Sequence, residues 1–469
     1  MQPAKPSFGP AALAVISVWL PLRFMVLGLL SLFAGTALLV IHPPLLATYH
    51  YNQHVIAVTH LFTLGFVASI IMGAMYQLVP VALETRLHSE RLARWQFVLH
   101  ATGMTGMVWM FWHWNIAQVG HFASVLTVGI ALFAYNMVRT LATVPRWNPT
   151  ATAVASALAW LGLTALAGLA LATAKLNFDP EESTTAANPW RHGLETVSGW
   201  LGHFDPIARM HAHAHLGGVG FFLLLIVGIS YRLVPMFTLS EVQSRRRAAT
   251  SIWLLNGGLA GLVPSLLLRS PWKFVFAAVL AAGVTVYFVE LRAILRARQR
   301  RAQDWGLLYF FTALAALGAC TALGLVLSWP WLPANAFTGQ LENLYGFTAL
   351  FGGVALAILG MLYKILPFLV WYARYSPDIG RRKVPSLSDL YSPRLQAAGY
   401  WTFLAGMIAT GIAILAGSTR AMPAGCGLLA ASLVIFAANA ARILSHLVHT
   451  RRNDLVRVPN IAPDKVGLA

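Results

Sequence analysis

Charged side chains are scarce in this sequence. They make up 10% of the 469 residues, and only 15 residues are Asp or Glu, whereas 58% are hydrophobic. The mean hydropathy of +0.66 lies far outside the range of chains that fold in water. This composition excludes a soluble globular protein and indicates a polytopic membrane protein.

Cysteine is also nearly absent. Cys320 and Cys426 stand in separate apolar runs, and the sequence contains neither a CxxC nor a CxxCH motif. Two isolated thiols exclude a disulfide framework, and the lack of CxxCH excludes covalent attachment of a c-type heme. We expect both cysteines to serve as packing residues.

Long apolar runs dominate the rest of the chain. A helix needs roughly 20 residues to cross the hydrocarbon core of a bilayer, and about twelve runs reach this length. We therefore predict an all-α fold in which residues 1–469 form a single transmembrane domain. The runs lie near 18–41, 52–82, 95–113, 117–139, 152–174, 210–237, 248–269, 272–292, 305–328, 343–372, 395–417 and 422–446.

Basic residues indicate how these helices are oriented, because Lys and Arg are enriched in cytoplasmic loops. The segments after even-numbered helices hold 23 of them and the opposite segments hold six. Both termini are then cytoplasmic, in a bacterial-type inner membrane. The net charge of +18 reflects this asymmetry and contact with anionic lipid, so we expect no nucleic-acid partner. The outer loop 175–209 is a solvated segment or a surface for a periplasmic partner.

Three of the apolar runs share one pattern. HLFTLGFVASIIMGAMYQLVP (60–80), HLGGVGFFLLLIVGISYRLVP (215–235) and FTALFGGVALAILGMLYKILP (347–367) keep Gly, Gly, Tyr and Pro in step. The first residues of the three are His60, His215 and Phe347. These are helices two, six and ten, so we predict three pseudo-symmetric four-helix units with the repeated helix of each at the centre.

The shared residues have two expected roles. Gly65 and Gly220 are candidate cofactor contacts, because a glycine on a helix lets a flat group or another backbone approach closely. Tyr76, Tyr231 and Tyr363 are expected to anchor the inner interface. Redox activity of these tyrosines is the alternative.

The pattern resembles subunit I of the heme-copper oxidase superfamily, and most of all its C-type branch. In that branch an H-x-H pair precedes glycines and a GxxYxxVP-like ending, which His213, His215, Gly228, Tyr231 and Pro235 match. The resemblance covers the whole helix plan. It implies a membrane protein that binds heme and copper and works with a periplasmic cytochrome c or other respiratory subunits.

Two departures from the family pattern concern its metal ligands. The oxidases carry the H-x-H pair on the tenth helix, whereas here it is on the sixth, and the repeat on the tenth begins with Phe347. The seventh helix, TSIWLLNGGLAGLVPSLLL, lacks the adjacent histidines that complete the copper site of the oxidases. The catalytic metal site of the family is therefore incomplete in this sequence.

Histidine inside an apolar run is costly unless it is paired or binds a metal. With a rise of about 1.5 Å per residue, we expect His60 and His215 at a similar depth, roughly 9–12 Å from the outer face. Equal depth on two central helices favours a non-covalent heme b with two histidine ligands. A bare metal site and histidines bonded to backbone carbonyls are the alternatives. Arg209 and Arg420 are our candidate cations for the heme propionates.

The remaining histidines of HAHAH leave a second cofactor open. Side chains two residues apart on a helix point about 200° apart, so His213 should face away from His215, and His211 should share the face of His215. Copper on the His213 side is one candidate. Its further nitrogen ligands would come from His54, His100 or His121.

These features favour electron transfer in a respiratory chain by a heme-binding membrane protein of the oxidase subunit I type. One alternative is an active terminal oxidase or nitric oxide reductase subunit. Another is a nitric-oxide-stress protein similar to the NnrS family, with heme and copper. A transporter is disfavoured because the sequence offers no charged or broken-helix site at the middle of the bilayer.

Overall fold

Helices account for nearly all of the chain that is described. A computed structural model describes residues 17–175, 189–300, 304–381 and 383–448, without the side chains of 189–192 and 448. These ranges contain twelve long helices and no strand. In chain order the long helices are α1 (Trp19–Ile41), α2 (Gln53–Ala82), α3 (Glu90–Trp112), α4 (Ile116–Leu141), α5 (Pro149–Thr173), α6 (Pro206–Thr238), α7 (Arg245–Leu267), α8 (Lys273–Arg296), α9 (Trp305–Leu327), α10 (Ala336–Asp378), α11 (Pro393–Leu415) and α12 (Met422–Val448).

Eleven of these helices are long and apolar enough to cross a membrane. The other one, α3, contains polar residues such as Gln96 and His100 within its apolar part, besides the charges of Glu90, Arg91 and Arg94 at its start. The prediction of an all-helical membrane protein with about twelve spans is confirmed. Both chain ends, which we expect in the cytoplasm, lie outside the described residues, as does most of the acidic part of the loop 175–209. A short helix, Pro189–Gly202, precedes α6.

Several helices begin earlier than their apolar runs indicate, and α6 and α10 are the two that matter for the site. The runs predict helices over 210–237 and 343–372, whereas α6 begins at Pro206 and α10 at Ala336. N-cap side chains explain the difference, because Asp205 and Asn335 each accept hydrogen bonds from backbone amides of the first turn. A hydropathy profile does not identify these first turns as helical, because their residues are polar.

The repeated helices α2, α6 and α10 form the centre of the bundle. In the most apolar stretch of each, 56%, 61% and 72% of the residues are buried, compared with at most 44% in any other spanning helix. Around them α3 packs on α4, α7 on α8 and α11 on α12, while α1, α5 and α9 pack against α2, α6 and α10 in turn. We call the end at which the central helices begin the outer end.

Each central helix contains an eight-residue π-helical segment. The segments are Leu61–Ala68, Leu216–Leu223 and Thr348–Ala355. Each begins directly after the first residue of the repeat, which is His60, His215 or Phe347. A π segment widens the helix locally and is frequent at functional sites. The first residue of each repeat therefore lies where its helix changes from α to π geometry.

At the opposite end of the bundle, three helix starts are built alike. The side chains of Ser89, Ser244 and Ser392 cap α3, α7 and α11 by accepting from the third amide of each helix. The backbone amides of the same serines donate to a side chain of the following helix, at 3.0, 2.8 and 2.9 Å. Those side chains are Asn136, Glu290 and Asn439.

The tyrosines of the repeat are core residues. Tyr76, Tyr231 and Tyr363 are 0%, 4% and 3% exposed, so the expectation that they anchor the membrane interface is wrong. The Tyr76 hydroxyl donates to Gln96, and the Tyr231 hydroxyl is hydrogen-bonded to Ser251. The tyrosine of each repeat faces the neighbouring helices, which a single apolar sequence does not reveal.

Candidate heme and metal sites

Helix α6 presents its histidines from a capped first turn at the outer end. The carboxylate of Asp205 accepts from the amides of Ala208 and Ile207, at 3.0 and 2.9 Å, and these bonds, that of Ala208 first, lower the pKa of Asp205. The ionised cap also opposes the positive end of the helix dipole. His211, His213 and His215 follow within the next three turns.

The rings of His60 on α2 and His213 on α6 lie side by side. Their centroids are 6.3 Å apart, and their planes are inclined by 22°. The sequence pairs His60 with His215, whereas the structure brings His60 to His213. His60 also lies against Phe111 of α3, with centroids 5.0 Å apart.

The ring of His215 faces the third central helix instead. Its centroid is 6.0 Å from that of Tyr345 on α10, and the two planes are inclined by 20°. In the aligned repeats Tyr345 stands at the position of His213, and His215 at that of His60. The two pairs are thus made by matching positions, one between α2 and α6 and the other between α6 and α10.

This arrangement explains why the predicted partner differs. Side chains two residues apart point in nearly opposite directions, so His213 and His215 cannot both face α2. Residues at matching positions of repeated helices each face the next helix rather than one another. Equal depth in the membrane is therefore not evidence that His60 and His215 meet.

Backbone carbonyls fix the orientation of two of these imidazoles. Nδ1 of His60 donates to the carbonyl of Ile56, and Nδ1 of His215 donates to that of His211, both at 2.8 Å. A carbonyl only accepts, so each Nδ1 carries the proton and each Nε2 keeps a free lone pair when the ring is neutral. The hydroxyl of Tyr345 lies 3.3 Å from Nε2 of His215, to which it donates. Histidines that bind a metal through one ring nitrogen usually donate the N–H of the other nitrogen to an acceptor such as a backbone carbonyl.

The surroundings of His213 fit a ligand to iron. A Cβ added at Gly168 of α5 would lie 3.0 Å from Cε1 of His213, so the ring rests directly on this glycine. Nδ1 of His213 is buried and has no hydrogen-bond partner among the described residues. Nε of Arg209, one turn nearer the outer end, is also buried and also has no hydrogen-bond partner among the described residues. Two histidines, a close-packed glycine beside one of them and a half-buried cation are groups that suit a heme and its propionate.

Three other predicted site residues serve different purposes. Arg420 is exposed in the turn between α11 and α12. A Cβ at Gly65 would lie 2.7 Å from the Ser31 hydroxyl of α1, and one at Gly220 would lie 2.6 Å from the Cβ of Trp160 on α5. Neighbouring helices therefore occupy the close approach that each glycine permits, so these glycines are helix contacts and not cofactor contacts.

The additional ligands considered for copper are dispersed. Nε2 of His100 is bonded to Ser69 at 3.0 Å in the core, and the ring of His54 lies against Trp112, 4.6 Å away. His121 is exposed on α4. Helix α7 contains no histidine, and its Asn256 accepts from the indole of Trp160. The residues near His213 do not fit a copper site of the oxidase kind.

Sequence reasoning missed one histidine cluster. His50, in the segment between α1 and α2, lies against His211 of α6, and Glu342 of α10 is the third member. His50 stands outside every apolar run, and Glu342 reads as an ordinary charged residue at a helix end. The available signal was the extra histidine of HAHAH, but its partners are far away in the sequence.

One comparison with known proteins gives a match. No protein-family profile matches the sequence, and no curated protein does. The cryo-EM structure of a heme-copper terminal oxidase dimer matches over 92% of this chain and 84% of that chain, at 12% identity and a TM-score of 0.61. The chain therefore has the fold of a heme-copper oxidase subunit.

Proposed function

We propose that this chain is a heme-binding electron carrier of a respiratory membrane, built on the fold of an oxidase subunit. A non-covalent heme b would be held between α2 and α6 by His60 and His213. The observation that carries this proposal is the placement of two imidazoles from different central helices with ring centroids 6.3 Å apart.

The spacing of the rings supports the two-ligand assignment. Two imidazoles that bind one metal ion through nitrogens about 2.0–2.1 Å from it can have ring centres roughly 6 Å apart, so His60 and His213 would be able to hold one ion between them. His60 directs its unprotonated Nε2 away from the carbonyl that holds Nδ1. Arg209 supplies a half-buried guanidinium one turn from His213, with its Nε buried and without a hydrogen-bond partner among the described residues, where a propionate would need a positive charge.

When bound, such a heme accepts and releases single electrons and has no free position for a substrate. The protein residues would orient the ring planes, exclude water through the apolar helices around them and hold the propionates at the outer end. Electrons would come from or pass to a periplasmic cytochrome c or another respiratory subunit. The residues of α7 give no support to a heme–copper pair that reduces oxygen or nitric oxide.

A gas-binding role similar to that of the NnrS family is the second candidate. The observation that favours it is a second imidazole on a central helix, His215, whose Nδ1 is held by a backbone carbonyl as that of His60 is. His215 would hold a heme alone, through the Nε2 that now accepts from Tyr345, and would leave room for a gas. Carbon monoxide binding to the reduced wild type, lost in His215→Ala, would support this candidate.

Optical spectroscopy of the purified protein tests the main proposal. After expression with ample heme, we expect a reduced-minus-oxidised spectrum and a pyridine hemochrome of six-coordinate heme b. His60→Ala and His213→Ala should each abolish this signal, and added imidazole should restore part of it. His215→Ala is the matched control and should retain it.

Two results would overturn the assignment. If the wild-type protein is colourless, it binds no heme and the proposal is wrong. If His213→Ala keeps the signal and His215→Ala loses it, the heme ligands are His60 and His215, as the sequence predicts, and not His60 and His213. Gel filtration of each variant separates loss of a ligand from loss of the fold.

A further inference from the structure

A cluster of possible metal ligands lies at the outer end, apart from the His60–His213 pair. His50 comes from the segment that enters α2, His211 from α6 and Glu342 from α10. One ligand atom from each residue lies within 4.8 Å of those from the other two. Three separate parts of the chain thus bring two imidazoles and one carboxylate to one place.

The distance between the imidazoles suits a shared metal ion. Nε2 of His50 and Nε2 of His211 are 3.1 Å apart. At metal–nitrogen distances of about 2.1 Å this separation corresponds to an angle of roughly 95–100° at the metal, between the octahedral and tetrahedral values. A carboxylate oxygen of Glu342 lies within 4.8 Å of a nitrogen of each histidine, which places a third ligand atom beside the pair.

The surrounding residues hold the segment of His50 in place. The side-chain amide of Asn343 donates to the carbonyl of Thr48 at 3.1 Å, and that of Gln340 donates to the carbonyl of Ala47 at 3.4 Å. The ring of Tyr49 lies 4.5 Å from that of His50. These bonds tie the segment before α2 to the first turns of α10, which carry Glu342.

A hydrogen bond between the two histidines explains the geometry less completely. It would occupy one nitrogen of each ring and would leave the position of Glu342 unexplained, although a carboxylate oxygen of Glu342 lies within 4.8 Å of a nitrogen of each imidazole. The side chains of His50 and Glu342 are 18% and 32% exposed, so an ion and a water ligand can reach the cluster.

We propose that His50, His211 and Glu342 bind one divalent transition-metal ion of the Zn²⁺ class. Two imidazoles and a carboxylate are a ligand set that Zn²⁺ takes in proteins, with the fourth position left to water. The ion would join the segment before α2 to α6 and α10 at the outer end. The proposal does not depend on the heme, because none of its three ligands belongs to the His60–His213 pair.

Zinc titration of the purified full-length protein in detergent tests the site. After treatment with a chelator and its removal, we expect calorimetry to show one tight equivalent of Zn²⁺ in the wild type, and elemental analysis after dialysis to find it. His211→Ala and Glu342→Gln should each weaken binding at least tenfold. His203→Ala and His113→Ala remove exposed histidines near the same end and should leave the tight site unchanged.

The same samples separate this proposal from that of the heme. Glu342→Gln should keep the heme spectrum while losing zinc affinity, and His60→Ala should keep zinc affinity while losing the spectrum. Substitution by Co²⁺ should give a visible absorption band in the wild type that is absent from Glu342→Gln, and this shows direct ligation even if a histidine variant folds poorly. The metal site is rejected if the wild type binds no tight equivalent, or if His211→Ala and Glu342→Gln both bind zinc like the wild type.

Discussion

At the scale of single residues, Gly168 is the most informative contact of the proposed heme site. A Cβ at this position would lie 3.0 Å from Cε1 of His213, so Gly168→Ala should displace the ring. Overpacking of this kind costs about 1–3 kcal/mol, which corresponds to roughly 5- to 150-fold weaker heme binding. Titration of the heme-depleted protein with hemin would measure the change.

Gly162, on the same helix, provides the matched control. No atom lies within 4 Å of a Cβ added there, so Gly162→Ala should bind heme like the wild type. It should also stabilise α5 slightly, because alanine is favoured over glycine in helix interiors. Equal heme affinity in the Gly168 and Gly162 variants would show that His213 is not held against α5 during binding.

The residues of the candidate site could be predicted only in part from the sequence. An imidazole in an apolar run stands out, so His60, His213 and His215 are recognisable as unusual. Which of them meet depends on the rotation of α6, and an alternation of two residues leaves both choices open. His50 and Glu342 have no such signal, because polar residues at helix ends are ordinary in a membrane protein.

At the scale of elements, Glu290 of α8 shows how a buried carboxylate fixes a helix start. Its side chain is 0% exposed, and it accepts from the amides of Gln243 and Ser244 and from Arg247 at 2.7–2.8 Å. Glu290→Ala would leave two backbone donors and a guanidinium without their acceptor. We expect a loss of stability on the order of 3 kcal/mol, measured by thermal unfolding in detergent.

An exposed carboxylate in the same segment controls for charge. Glu241 is exposed, so Glu241→Ala should change stability by less than about 0.5 kcal/mol. If both variants unfolded at the same temperature as the wild type, Glu290 would not hold the start of α7. The corresponding positions Asn136 and Asn439 are neutral amides, each bonded to both the amide and the carbonyl of its serine. A buried carboxylate also carries a charge, and the guanidinium of Arg247 balances it here.

These elements also show the limit of prediction from apolar runs. The number and order of the helices follow from hydropathy, and the Gly, Tyr and Pro register identifies α2, α6 and α10 as related. The π segments and the paired caps do not follow from it, because both depend on hydrogen bonds that hydropathy does not measure. Ser89, Ser244 and Ser392 do stand at equal distances before Gln96, Ser251 and Gly399, a regularity visible only once the caps are known.

At the scale of the whole molecule, the candidate sites share one end. The His60–His213 pair, the His215–Tyr345 pair and the His50 cluster all lie within the first turns of the central helices or just before them. Few basic residues stand at this end, whereas the opposite end carries most of them. By the rule that cytoplasmic loops retain Lys and Arg, we expect the sites to face the periplasmic side, where a soluble electron donor would reach them.

Cysteine labelling tests this orientation, because the native thiols give little background. Cys320 and Cys426 are 7% and 0% exposed, so a membrane-impermeant maleimide should not label the wild type in intact cells. His203→Cys, near the start of α6, should be labelled in intact cells. Gln243→Cys, before α7, should be labelled only after the membrane is permeabilised. The reverse pattern would place the histidines on the cytoplasmic side, and a periplasmic electron donor could then no longer reach the proposed heme.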